Sequence, residues 1–356
     1  MEALQLASTS RPRSVLTRRP VNDRAWERFV ESRPDATIFH QRTWTALLAQ
    51  TYGYEPVLLA LEDDAGRLRA GAVFLAVHSR VTGRRLISLP FTDHAPLLAL
   101  DEQARREFAE ALVDWRREQR APRVELHAEL PVTPGVHATS QGVRHLLSLD
   151  CPPEVLYRSF KGTQIDRAIR KAERSGVAVR LDRSREAVDQ YYRLHCLTRR
   201  RQGVPVQPLR FFRALWSEVI AGGQGFVALA EHGGAPIAGA VFLGWNGCLI
   251  YKYGASDPGS WELRPNNLLF WKAMEWGCEQ GYRVLDFGKT DLDNQGLRDF
   301  KSRWGATEVP LAYASVSERA PQPRSGRATG LLSRVITSTP PITARLVGEL
   351  LYGHFA

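Results

Sequence analysis

A chain of 356 residues with 44% hydrophobic and 24% charged side chains has the balance of a soluble globular protein and room for two cores. Four widely spaced cysteines, without CxxC or Cys/His spacing, exclude the usual zinc and redox patterns and fit free thiols in a reducing cytoplasm. No run reaches the roughly 18 apolar residues of a membrane span, and the N-terminus lacks a signal-peptide core, so a cytoplasmic protein is expected.

The net charge of +10 is unevenly spread. Residues 1–20 hold four Arg against Glu2 and are read as a disordered tail. Helical segments are expected near 23–50, where "IFHQRTWTALL" places Arg42 and Trp44. "YEPVLLALEDDAGRLRAGAVFLAV" then reads as a hairpin. The strand "RRLISLPF" follows, then a loop with Asp93, a helix near 102–119 and the strand "RVELHAEL". The Pro-Pro connection "DCPPEV" (Asp150–Val155) marks a boundary.

Helical segments resume over 155–222. In "SFKGTQIDRAIRKAERSGV", Arg167, Arg170, Lys171 and Arg174 share one helix face, and Ile165, Ala168, Ile169 and Ala172 share the other. Residues 158–174 hold six basic side chains against Asp166 and Glu173, and 191–217 hold six Arg and no acid. Such a patch attracts a nucleotide, a tRNA or an anionic lipid head group. A solvated surface explains any single Arg equally well.

A second hairpin, "GFVALAEHGGAPIAGAVFLGW", precedes the strand "GCLIYKYG", a helix near 266–280 and the strand "RVLDFGK". The hexapeptide AGAVFL thus occurs at Ala70–Leu75 and again at Ala238–Leu243. Its surroundings repeat too, in the order α–α–β–β–β–α–β, which implies a tandem duplication. The units are placed at 21–150 and 151–318. Residues 319–356 are read as a basic linker and a C-terminal helix docking on the first unit, with a membrane-surface helix as the alternative.

Three further residues stand out. Asp286 falls at the C-terminal end of a central strand, where α/β folds place working residues. Tyr251 and Tyr253 alternate on a strand and are expected on one face, as acceptor ligands or as core aromatics.

The repeated unit resembles the GNAT N-acyltransferase fold. Two in tandem, over roughly residues 21–316, resemble the Fem-type (FemA/FemB/FemX-like) peptidyl- and aminoacyltransferases and related GNAT-type acyltransferases. The resemblance implies an α/β (α+β) architecture with two mixed sheets and flanking helices. "GYRVLDFGKTDLDNQGLRDFKSRWGA" ends in the Gly-Leu-x-x-Phe-Lys-x-x-Trp-Gly pattern of Fem-like proteins. By that likeness Lys301 stands beside the reacting carbonyl, next to Phe300, where an ammonium would stabilise an oxyanion. Asp286 would relieve the amine of its proton or orient Lys301. Arg167 and Arg170 would engage a substrate diphosphate, Tyr251 and Tyr253 the acceptor, and Arg42 and Trp44 the acceptor's nucleotide, while Asp93, following a strand, is expected to face the same cleft.

Neither "TDHAPLLALDEQAR" nor "SDPGSWELRPNNLLFW" carries the Gly-rich turn that cradles coenzyme A pyrophosphate. The resemblance therefore implies aminoacyl-tRNA as acyl donor and neither cofactor nor metal. The acceptor would be an amino group of a phosphate-bearing cell-envelope precursor, of peptidoglycan or exopolysaccharide, with an inner-membrane surface as a further partner and DNA not among them. Residues 183–222 leave no space for the long helical arm of some Fem enzymes. Two rivals stay open: an acyl-CoA-dependent N-acetyltransferase of a sugar or peptide amine, and a non-catalytic module binding RNA or anionic lipid.

Overall fold

The computed structural model describes residues 14–79, 83–121 and 123–320. The expected C-terminal helix lies outside them. In chain order the first unit runs β1 (Leu16–Arg19), α1 (Arg24–Ser32), α2 (Arg42–Tyr52), β2 (Glu55–Glu62), β3 (Leu68–Ser79), β4 (Gly83–Ile87), β5 (Leu98–Ala99), α3 (Glu102–Glu118), β6 (Val124–Leu126) and β7 (Val136–Ser148). The second runs α4 (Pro153–Phe160), α5 (Gln164–Arg174), β8 (Ala178–Asp182), α6 (Arg185–Arg201), α7 (Leu209–Leu215), β9 (Gly225–His232), β10 (Ala235–Trp245), β11 (Cys248–Ser256), α8 (Pro265–Glu279), β12 (Val284–Thr290), α9 (Gln295–Ser302) and β13 (Thr307–Val316).

The helices begin where side chains can satisfy free amides. Asp101 accepts from the Ala104 amide, Thr163 from those of Ile165 and Asp166, and Ser184 from that of Ala187. The tail read as disordered through residue 20 is a strand from Leu16, because β1 pairs with β2 over Leu16–Arg19.

The repeated hexapeptide serves one purpose in both copies. In β3, Val73 and Leu75 face one core while Ala70, Ala72 and Phe74 face another. In β10, Val241 and Leu243 face that same first core, and Ala238, Ala240 and Phe242 face a third. The glycine is fixed by helix packing. A Cβ on Gly71 would lie 2.7 Å from the Trp26 ring on α1, and one on Gly239 3.1 Å from the Tyr191 ring on α6.

The two expected sheets are one. The strand order is β1-β2-β3-β4-β6-β13-β7-β12-β11-β10-β9-β8, with β5 beside β3. The list is symmetric about the β13–β7 pair because the units exchange their last strands. β13 of the second unit lies against β6 of the first, and β7 of the first against β12 of the second. Neighbours are antiparallel except β4–β6 and β11–β12.

One face of this sheet carries α1, α2, α6 and α7 over a shared core. The other face carries α3 over the first unit and α4, α5 and α8 over the second. No arm projects from residues 183–222: α6 and α7 bury Tyr191, Phe211, Phe212 and Leu215 in the shared core.

Candidate active site

Strands β11 and β12 pair in parallel only from Cys248↔Val284 to Ile250↔Asp286. Beyond that point both are irregular. On β12 the register against β7 shifts between Asp286 and Lys289, and Gly288 takes φ +70°. A Cβ there would meet Asp93 Oδ2 at 3.0 Å and the Tyr251 carbonyl at 3.2 Å, so only glycine fits.

Strands β12 and β7 and helix α9 meet at this bulge. The Gly288 amide donates to Asp286 Oδ1 at 2.8 Å. Asp286 Oδ2 accepts from Arg144 of β7, Nε at 3.0 Å and Nη2 at 2.5 Å. Lys301 of α9 is 2% exposed and donates from Nζ to the carbonyls of Gly288 at 2.9 Å and Lys289 at 3.3 Å. Burial pulls its pKa down to about 8, against the opposing pull of Asp286 and Asp93.

The loop after β4 brings the first unit to the same place. Lys252 of β11 donates to the Phe91 carbonyl at 2.7 Å and stands 3.5 Å from Asp93 Oδ2. Tyr313 of β13 donates to the Asp93 carbonyl at 2.8 Å. Arg144 Nη1 lies 2.9 Å from His94 Nδ1; a guanidinium only donates, so that nitrogen accepts and the ring is neutral. Burial, helped by Arg144, pulls the His94 pKa down to about 3, and burial takes His127 to about 4. Asp93, 29% exposed at its side chain, is the accessible carboxylate of the cluster, since Asp286 is spent on Arg144 and Gly288.

Helix α9 also borders a groove of about 470 Å³, walled by Gln164, Arg167 and Lys171 of α5, Arg264 and Asn267 at the start of α8, and Phe300 and Arg303 at α9. Every wall residue belongs to the second unit. The start of α8 offers little backbone to an anion: Pro265 has no N–H and the Asn267 amide bonds the Arg264 carbonyl at 3.1 Å. Side chains supply the positive charge instead. Helix α9 thus turns Phe300 and Arg303 to the groove and Lys301 inward.

The structure therefore brings Asp93, Asp286 and Lys301 together, and puts Arg167 and Phe300 in the groove. Other candidates fall elsewhere. Arg170 reaches back to Asp166 at 2.9 Å, and Lys171 takes the groove position. Trp44 is 0% exposed, out of any ligand's reach, and its indole donates to Thr92 Oγ1 at 2.9 Å, steadying the Asp93 loop. Arg42 is exposed near Glu27 on a separate small cleft.

Tyr251 and Tyr253 do not share a face. The register of β10 against β11 jumps from Phe242↔Tyr251 to Val241↔Tyr253, so a bulge at Lys252 turns them apart. Tyr251 packs on Phe242 and Phe270, with burial pushing its pKa to about 12. Tyr253 packs on Phe211 and Phe212 and accepts from Gln207. Lys252, Arg144, His94 and Gly288 were not singled out from the sequence. A glycine two residues past a strand aspartate was the one available signal. Among the described residues no three His, Cys, Asp or Glu are grouped to hold a metal, and no helix is long and apolar enough to cross a membrane.

Comparison with known proteins agrees with this architecture. The acetyltransferase (GNAT) domain family matches residues 159–302. No curated protein matches the chain. Among solved structures, FemX superposes with a TM-score of 0.67 at 15% identity, covering 84% of this chain and 96% of its own. The C-terminal domain of a putative lysylphosphatidylglycerol synthetase from Agrobacterium fabrum gives 0.53 at 16% identity, covering 87% and 96%. A tandem GNAT protein from the clavulanic acid biosynthesis pathway gives 0.52 at 12% identity, covering 86% and 99%. The chain is an acyltransferase of tandem GNAT fold, with its sequence-recognisable acetyltransferase domain at residues 159–302.

Proposed function

We infer that this acyltransferase is Fem-like and moves an activated acyl group, an aminoacyl group from aminoacyl-tRNA, onto an amino group of a cell-envelope precursor. The observation that carries this reading is the groove, whose four cations Arg167, Lys171, Arg264 and Arg303 match a phosphate-rich donor. Its walls come from the second unit alone, so it is assigned to the donor. The seam with the first unit's Asp93 is assigned to the acceptor.

In this reading the amine nitrogen attacks the donor's ester carbon, the C–O bond to the ribose breaks, and the leaving ribose oxygen takes up the proton that the amine loses, relayed through Asp93. Asp93 takes the proton that the amine gives up. Lys301, with two of its three N–H groups on carbonyls, fixes the bulge and lends positive charge to the tetrahedral centre. The weak backbone offer at the start of α8 counts against acyl-CoA as donor, and the acyltransferase domain counts against a non-catalytic module.

The test is purified protein with a UDP-linked muropeptide and either aminoacyl-tRNA or acetyl-CoA, read by mass spectrometry of the acceptor. An aminoacyl mass increment is expected. An acetyl increment, or none, would overturn the donor assignment. The double variant Arg167→Glu, Arg303→Glu is expected to raise the donor KM about tenfold or more. Asp93→Asn should instead lower kcat, typically by 10²-fold or more.

A further inference from the structure

Arg264, a wall of the groove, closes a turn that stands outside it. This turn, Pro258–Leu263, buries none of its residues and presents Trp261, 45% exposed. The indole is held, since its N–H donates to Ser256 Oγ at 2.8 Å. Ser256 is itself clamped to helix α6, its amide donating to Thr198 Oγ1 at 3.1 Å and its carbonyl accepting from that hydroxyl at 3.3 Å. The same helix end places the Arg201 guanidinium over the ring, 4.5 Å from its centroid. The Trp261 carbonyl accepts the Arg264 amide at 3.0 Å, and Arg264, at φ +59°, turns away to line the groove.

A rigid exposed aromatic face flanked by guanidinium, one turn from a cation-lined groove, suits a base that follows its own phosphate. Aromatic rings hold bases of any sequence by stacking, and cations hold the phosphates. A buried-core role does not account for Trp261, and a surface tryptophan needs no hydrogen bond to an ordered strand end.

We propose that Trp261 is the stacking platform for the terminal base of the acyl donor's nucleotide, with the adjoining phosphates in the Arg264 groove. The proposal rests on the assignment of that groove to the donor. The chemistry it names, an adenine next to phosphate, is shared by the 3′ end of tRNA and by coenzyme A.

The experiment compares wild type with Trp261→Ala and Trp261→Phe in four titrations. The ligands are a short RNA ending in CCA, the same RNA with an abasic 3′ nucleotide, acetyl-CoA, and phosphopantetheine, which lacks adenine. For the source that is the donor, Trp261→Ala should weaken binding about 5- to 100-fold while Trp261→Phe keeps most of it. The ligand without its base should bind both proteins alike. Both variants should still melt cooperatively, within a few degrees of wild type, because the turn buries none of its residues and only the indole's hydrogen bond to Ser256 and its contact with Arg201 are altered. Unchanged binding of the intact ligand by Trp261→Ala, or an equal loss toward the baseless one, overturns the platform and leaves the donor groove standing. A wild type that binds neither RNA nor acetyl-CoA overturns both.

Discussion

Lys301 keeps a charge where water cannot reach it, and stability should record this. Burial lowers its pKa from 10.5 to about 8. Below pH 8 both folded and unfolded chains hold the proton, and the full penalty of the buried charge is present. Between about 8 and 10.5 the folded chain has released it while the unfolded chain retains it, so stability rises with pH across that window. The rise is worth about 3 kcal/mol. Urea unfolding of wild type and Lys301→Met at pH 8 and pH 10 should show the wild type gaining on the variant; a constant difference would contradict a charged buried amine. The lysine itself was legible from its sequence pattern. Arg144, His94 and Lys252 were not, because each matters only through a partner distant in sequence, 142, 50 and 159 positions away along the chain for the pairs Arg144–Asp286, Arg144–His94 and Lys252–Asp93.

At the scale of strands and helices, periodicity succeeded where pairing is regular and failed at bulges. The duplicated hairpins, the helices at 102–119 and 266–280 and the two-faced α5 follow from apolar spacing. Tyr251 and Tyr253 defeat the period of two because Lys252 is the extra residue of a bulge, which no composition reveals. The glycines of AGAVFL make a sharper claim about helix packing. Gly71→Ala drives a methyl to within 2.7 Å of Trp26, whereas Gly239→Ala meets Leu229 and Tyr191 at 3.0 and 3.1 Å. Both should destabilise by about 1–3 kcal/mol, Gly71→Ala by more, as read by chemical denaturation. Equal stability of the three proteins would mean that α1 is not seated on β3 as described.

For the molecule as a whole, the cut at 150/151 that the sequence suggests runs between β7 and α4, but the packing ignores it. Strand exchange and the shared helical core join the two units, so heating should give one cooperative calorimetric transition. Two resolved transitions would refute the joint core. Sequence reading missed the exchange because β7 and β13 look the same whether each returns to its own unit or crosses over. The exchange has a consequence for biosynthesis. On a ribosome, the thirteen residues of β7 emerge with no strand partner upstream, since their neighbours are β13 and β12. Both of its edges stay open until residues 284–316 have been made, a template for stray pairing during roughly 7–30 s at typical elongation rates. Nascent chains stalled near residue 280 should therefore be the form most in need of a chaperone.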